Sequence, residues 1–320
     1  MKAWFWRILG VAVLLYLAVG PLVGMERSTT STMWYIFFYA TLASAWNILG
    51  GFAGQVSFGY SAFVGLGAYT TGLLWLAGWN PYLTLPLAGL TAAVFSAVVG
   101  YPTFRLRGPF FTIATIGVSE VMRVLMLGME WTGGSSGKTL PTPKVFSDLP
   151  NYYSGLTLAV ATLLVVWLIQ RSRFGLALAS IKQDIDAAES LGVNATWYKL
   201  AAHGVSAFIA GVAGGLYAQQ IYFIDPNAVF AFNLSLSMVL MPVIGGIGTF
   251  WGPVIGGVIF SYIQQEVLAT FKDFHLLVYG MLLILIMMFE PLGLIGLYNR
   301  LRRLGRRQTP RAATSEVTGR

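Results

Sequence analysis

The chain contains no cysteine in its 320 residues. That absence excludes disulfides, thiolate metal sites and a cysteine nucleophile. Histidine is almost as scarce, with only His203 and His275, which leaves little for metal binding or imidazole catalysis. Charge is scarce too: Asp, Glu, Lys and Arg make up 10% of the chain, against about 25% in soluble domains. No G-x-x-x-x-G-K-[ST] run is present, so the chain has no phosphate-binding loop of that kind. The Gly65–Gly67 pair lies inside an apolar run and reads as packing glycines. No Ser/His/Asp set is plausible.

Hydrophobic residues are what the chain has, at 56%. Several runs approach the roughly 20 apolar residues that cross a bilayer, and the length holds about ten of them. The expectation is an all-α polytopic membrane protein with about ten transmembrane helices and both termini cytoplasmic. The net charge of +8 could suggest nucleic acid. Much of it sits in the tail 300–320 and in short loops, which fits orientation in a bilayer and argues against a nucleic-acid partner.

The apolar runs fall at 8–24, 33–49, 58–77, 83–101, 109–128, 153–170, 200–220, 234–244, 253–268 and 276–295. The first resembles a signal peptide but lacks a small-x-small cleavage site, so it reads as an uncleaved span. Trp79 and Tyr82 suit an outer interface. Arg105, Arg107, Arg171, Arg173, Lys182, Lys199 and the tail arginines then share the inner side. The loop 130–152, with Gly133, Gly134, Ser135 and Gly137, is external, as are 25–32, 225–227 and 271–275. The membrane domain is 1–299, followed by a basic tail, 300–320, without apolar periodicity.

The longest polar interruption is 171–199. Ser180-x-x-Gln183 reads as a capping box, and Ile181, Ile185, Ala188 and Leu191 fall on one stripe at helical spacing. Gly192 and Asn194 suit its stop. An inner amphipathic helix between two spans can dock in a partner's groove; the plain alternative is a solvated loop on the headgroups. Glu120 and Arg123 lie three apart in one span, so they share a helix face. Intramembrane charges belong to a translocation path, a subunit interface or a bundle-locking ion pair. Glu266, beside Gln264 and Gln265, lies nearer the outer interface. His203 reads as an inner-edge residue. Gly50-Gly51-x-x-Gly54 faintly echoes Gly245-Gly246-x-Gly248, which marks either broken helices near a transport path or close helix packing.

Asp186-Ala187-Ala188-x-x-x-Gly192 resembles the ATPase-contacting motif of ABC importer permeases. The wider pattern resembles the M-type membrane subunit of branched-chain amino acid importers. Gly54-Gln55-Val56-Ser57-Phe58-Gly59, Arg107-Gly108-Pro109-Phe110-Phe111, Glu120-x-x-Arg123, Thr132-Gly133-Gly134-Ser135-x-Gly137, Gly245-Gly246-x-Gly248-Thr249 and Pro291-x-Gly293-Leu294-x-Gly296 all match that family. Tyr60, Leu176, Ser180 and Ser237 depart from it, and bear on the substrate more than on the fold. The resemblance implies a permease subunit rather than an enzyme, in the cytoplasmic membrane of a bacterium or archaeon. Its implied partners are a second homologous permease, two ABC ATPases that bind ATP and Mg, and a periplasmic or lipid-anchored binding protein. It implies ATPase docking by Ile181, Ile185, Asp186, Ala187, Ala188, Leu191 and Gly192. It places Gln55, Ser57, Glu120, Arg123 and Ser237 on the translocation path or a subunit interface. A urea or amide importer subunit, or an ATP-independent carrier or channel, remains the alternative.

Overall fold

The computed structural model describes residues 16–23, 26–106, 108–142 and 148–267, and beyond these the helical positions 277, 280, 281, 284, 288, 293–297 and 300. The described residues are helical nearly throughout. Helices α1 (Arg27–Asn47), α2 (Tyr60–Leu76), α3 (Leu85–Thr103) and α4 (Pro109–Gly128) precede the long loop. Helices α5 (Leu149–Arg171), α6 (Arg173–Gln183), α7 (Ile185–Ser190), α8 (Ala195–Ile221), α9 (Pro226–Val229), α10 (Phe232–Gly245) and α11 (Gly252–Tyr262) follow it. Among the described residues, five helical stretches are long and apolar enough to cross a membrane: α3, α4, α5, α8 and the combined Pro226–Gly245.

α8 is the central post, packed lengthwise against α2 and α3. Its inward face carries Ala207, Ala210, Gly211, Ala213 and Gly214. A methyl group at Gly67 would run into the Gly211 backbone, and one at Gly214 into the Val64 carbonyl. Lipid tails are as apolar as side chains, so membrane helices associate through such close backbone approach. The large side chains surround this contact. Trp34, Phe38, Leu42 and Trp46 line up at i, i+4 along α1 and pack with Tyr60, Phe63, Met238 and Val243. α4 buries Phe111, Thr115, Ser119, Met122 and Met126 in one stripe.

Both glycine-rich segments interrupt helices. α1 runs into a single π-turn, Ile48–Phe52, and then into irregular backbone over 53–59. Irregular backbone inside a membrane bundle needs internal partners. Here Thr112 donates to the Val56 carbonyl (3.0 Å), Trp46 Nε1 to the Ser57 carbonyl (2.8 Å) and the Phe58 amide to Thr115 Oγ1 (3.1 Å). The second break joins α10 to α11. Thr249 Oγ1 donates to the Gly246 carbonyl (2.8 Å) and accepts from the Gly252 amide (3.0 Å).

At the far end of α8, Phe223–Ile224 (β2) pairs antiparallel with Lys138–Thr139 (β1) in the long loop. Two single 3-10 turns, Glu130–Thr132 and Gly134–Ser136, fill the rest of that loop's first half.

Several expected boundaries move. α1 begins at Arg27 and α5 at Leu149, each taking a full turn or more from an expected loop. The single docking helix expected from Ser180 is two helices broken at Asp184, whose backbone is extended at φ −157°, ψ 119°. Ser180 is no cap: its hydroxyl bonds back to the Ala177 carbonyl at 2.8 Å. His203 does not face headgroups but sits 2% exposed among the rings of Tyr60, Phe63 and Phe104. Arg107, most of the first span, the 271–275 loop and the basic tail beyond Arg300 lie outside the described residues, as do the Glu266 side chain and much of 276–295.

Candidate functional site

Three side-chain caps in succession build the polar segment between α5 and α8. Ser172 Oγ accepts from the Gly175 amide (3.2 Å) and starts α6; Asp184 Oδ1 accepts from the Ala187 amide (3.0 Å) and starts α7. Asn194 Oδ1 accepts from the Trp197 amide (2.9 Å) and starts α8. Each cap satisfies an amide that the first helical turn leaves unpaired. The kink at Asp184 splits the expected apolar stripe. Ile181 and Ala188 turn inward and form a small core with Ala195, against which Ile185 packs. Leu191 turns outward and is 84% exposed, with Asp186 and Ala187 also at the surface. Gly192 ends the segment at φ +85°, with nothing near its α-carbon on the side a β-carbon would occupy. Leu176 and Trp197 add exposed apolar surface near the same end.

This segment is tied to both helix breaks. Lys182 Nζ donates to the Gly51 carbonyl at 2.8 Å. Asn47, the residue before the π-turn, accepts from the Gly248 amide (2.8 Å) and donates to the Thr249 carbonyl (3.0 Å). The two glycine-rich echoes of the sequence therefore meet in space, and the polar segment meets them.

From that junction a line of polar and aromatic groups follows α4. Gln55 is half-buried, and Ser57 is buried with its hydroxyl accepting from the Gly59 amide at 3.2 Å. Val56 and Phe58 lie beside them, and Phe58 stacks on Phe232 of α10 at 5.9 Å between ring centres. Thr112, Ile116, Glu120, Arg123 and Leu127 recur at helical spacing on α4, next to its buried stripe. Arg123 Nε and Nη2 grip Glu120 at 3.0 and 2.5 Å, while Nη1 donates to Asn227 Oδ1 at 2.8 Å. The Arg123 and Glu120 side chains are 29% and 55% exposed, so the pair faces out of this chain rather than locking its interior. Asn227 belongs to the one-turn helix α9, started by Asp225 Oδ1 accepting its amide at 3.1 Å. Beyond it lies the 130–137 loop, where Gly133 and Gly137 take φ of +93° and +66° and Ser135 is exposed. Gly134 also has positive φ. Ser237 stands apart: it is buried in α10, and its hydroxyl bonds the Asn233 carbonyl of its own helix at 2.8 Å.

Residues 28–287 match the family described as branched-chain amino acid transport system / permease component. The chain belongs to that family. It is 30% identical to the high-affinity branched-chain amino acid transport system permease protein LivM of Escherichia coli K12, over 89% of this chain and 74% of the relative. The same protein of Salmonella typhimurium LT2 is 30% identical over 88% of this chain and 73% of its own length. The autoinducer 2 import system permease protein LsrC of Yersinia pestis Pestoides F is 26% identical, over 72% and 67%. No solved structure matches the chain. The chain is thus a multi-pass membrane permease subunit of LivM type, and permeases of this kind work with ATPase and substrate-binding partners.

Sequence reading put Glu120 and Arg123 on one helix face from their spacing, but assigned no partner to Asn47, Lys182 or Asn227. Asn47 was findable as the one amide in an apolar run directly before Gly50-Gly51. Lys182 and Asn227 act across long stretches of chain, and no local pattern marks their partners. Tyr60, noted only as a departure from the family pattern, is buried, and its hydroxyl accepts from Ser206 Oγ at 2.7 Å inside the bundle.

Proposed function

We propose that this chain is one half of an ATP-driven importer pore for branched-chain amino acids in the cytoplasmic membrane. In this reading the bundle has about ten spans with both termini inside. A second homologous permease completes the pore, two ATPases holding ATP and Mg dock beneath it, and a periplasmic or lipid-anchored binding protein delivers substrate to the 130–142 loop. ATP binding and hydrolysis in the partners switch the pore between outward- and inward-facing states. Selectivity rests mainly with the binding protein, since a tight site in the pore would slow release.

The observation that carries this reading is the exposed Glu120–Arg123 pair on α4. A charge facing lipid at mid-bilayer costs about 2.5–3.5 kcal/mol even on the mildest scales. The pair, together with Thr112, Val56 and Phe232, therefore supports a covered face, lined by water and a second subunit rather than lipid. Docking beneath is supported by the outward Leu191, Asp186 and Ala187 at the tip of the α6–α7 segment.

The test is reconstitution of this chain with a homologous permease, two ATPases and a binding protein. Uptake of labelled leucine, isoleucine and valine is expected only with ATP and binding protein present. Uptake that persists without the ATPase would show an ATP-independent carrier instead. Uptake of urea or an amide in preference to leucine would replace the substrate.

A further inference from the structure

The side chain of Lys182 lies in a trough made by three glycines from the two helix breaks. Its Nζ donates to the Gly51 carbonyl at 2.8 Å. A β-carbon at Gly54 would meet Lys182 Cγ at 3.0 Å, and one at Gly248 would meet Lys182 Nζ at 3.1 Å and the Gly51 carbonyl at 3.0 Å. The trough exists because those positions carry no side chain, and Gly54 and Gly248 hold φ of +71° and +75°. Asn47 closes the far wall by bonding Gly248 and Thr249. Lys182 itself sits in the last turn of α6, one residue before the Gln183 end and two before the Asp184 kink.

We propose that Lys182 is the positioning residue that couples the docking segment to both glycine breaks, so that movement of α6 and α7 reaches the irregular 53–59 backbone and the α10–α11 bend together. The inference rests on the permease reading above. Physically, an ammonium on a flexible stem bonds a carbonyl at the C-terminal end of α1, where the helix dipole is negative. Displacing α6 therefore pulls on Gly51 or breaks a charge-assisted bond. Because Gly51, Gly248 and Asn47 are already bonded or packed to one another, the pull is shared between the two halves of the fold. Conformational coupling of this kind needs an element both sites can bias, and the two breaks supply it.

The reconstituted complex gives the test. Lys182→Met keeps the stem in the trough and removes the donor; Lys182→Arg keeps the charge and a donor. The reading predicts that Lys182→Met complexes recover all subunits and hydrolyse ATP, while the ratio of amino acid imported to ATP hydrolysed falls about tenfold, the scale set by one hydrogen bond to a charged group. Lys182→Arg is expected to restore part of that ratio. An unchanged ratio in Lys182→Met overturns the proposal. So does a lower subunit recovery with an unchanged ratio in what assembles, since that marks a structural staple only. If the wild-type complex itself shows no ATP-dependent import, it is the permease reading that fails, which keeps the two failures distinguishable.

Discussion

Asn47 offers the sharpest energetic test of the fold. It is wholly buried and ties α1 to one segment 201 and 202 residues away, through the Gly248 amide and the Thr249 carbonyl. Both bonds run side chain to backbone, and the amide orientation is fixed because one partner donates and the other accepts. Asn47→Ala removes both and leaves both backbone groups without this partner. Side-chain hydrogen bonds between membrane helices average about 0.6 kcal/mol, which sets a floor of about 1 kcal/mol for the two. Stranding a buried donor or acceptor costs ~1–3 kcal/mol, and because Gly248 and Thr249 are only half-buried, about 2 kcal/mol for each sets an upper value of about 4 kcal/mol. At about 2 °C per kcal/mol for a large domain, the detergent-solubilised protein should melt about 2–8 °C lower. Asn47→Asp keeps an acceptor for Gly248 but sets an oxygen against the Thr249 carbonyl, so it should be no more stable than the alanine variant. The assay is a thermal melt of both variants beside wild type. An alanine variant that melts with wild type, or an aspartate variant that does, would refute the bridging role.

Three further expectations concern function. Glu120→Gln and Arg123→Met should each impair uptake or assembly, and Arg123→Lys should not fully rescue, because a lysine cannot grip Glu120 and Asn227 with one planar fork; normal uptake and yield in both single variants would make the pair dispensable. Leu191→Arg should leave the melting of the isolated chain nearly unchanged, within about 0.5 kcal/mol, yet lose ATPase co-purification. Ala188→Arg differs: it drives a charge into the Ile181–Ala188–Ala195 core and should destabilise the segment by about 3–5 kcal/mol in the chain alone, so equal melting of the two variants would contradict the kinked geometry. A Ser136→Cys variant, clean to label because the chain has no native cysteine, should react with an impermeant reagent only from outside; reaction only from the cytoplasm would invert the topology.

The family was legible in the sequence because its signals are local. Apolar length announces a membrane-spanning helix wherever it occurs. The α4 span from Pro109 to Gly128 stands where the sequence alone put it, and spacing alone placed Glu120 beside Arg123. Gly65 and Gly67 read as packing glycines and do pack, against Phe230 and the Gly211 backbone. The tertiary structure decided what depends on distant partners. The single apolar stripe is split because the Asp184 cap bonds the Ala187 amide and starts a new helix, which rotates Leu191 away from Ile181 and Ala188. His203 went inward because the rings of Tyr60, Phe63 and Phe104 converge on it from other helices. Above all, periodicity cannot say that Gly51 and Gly248 touch, or that Lys182 spans them. Those contacts exist only after α10 and α11 have packed against α1 and brought the two breaks to one place.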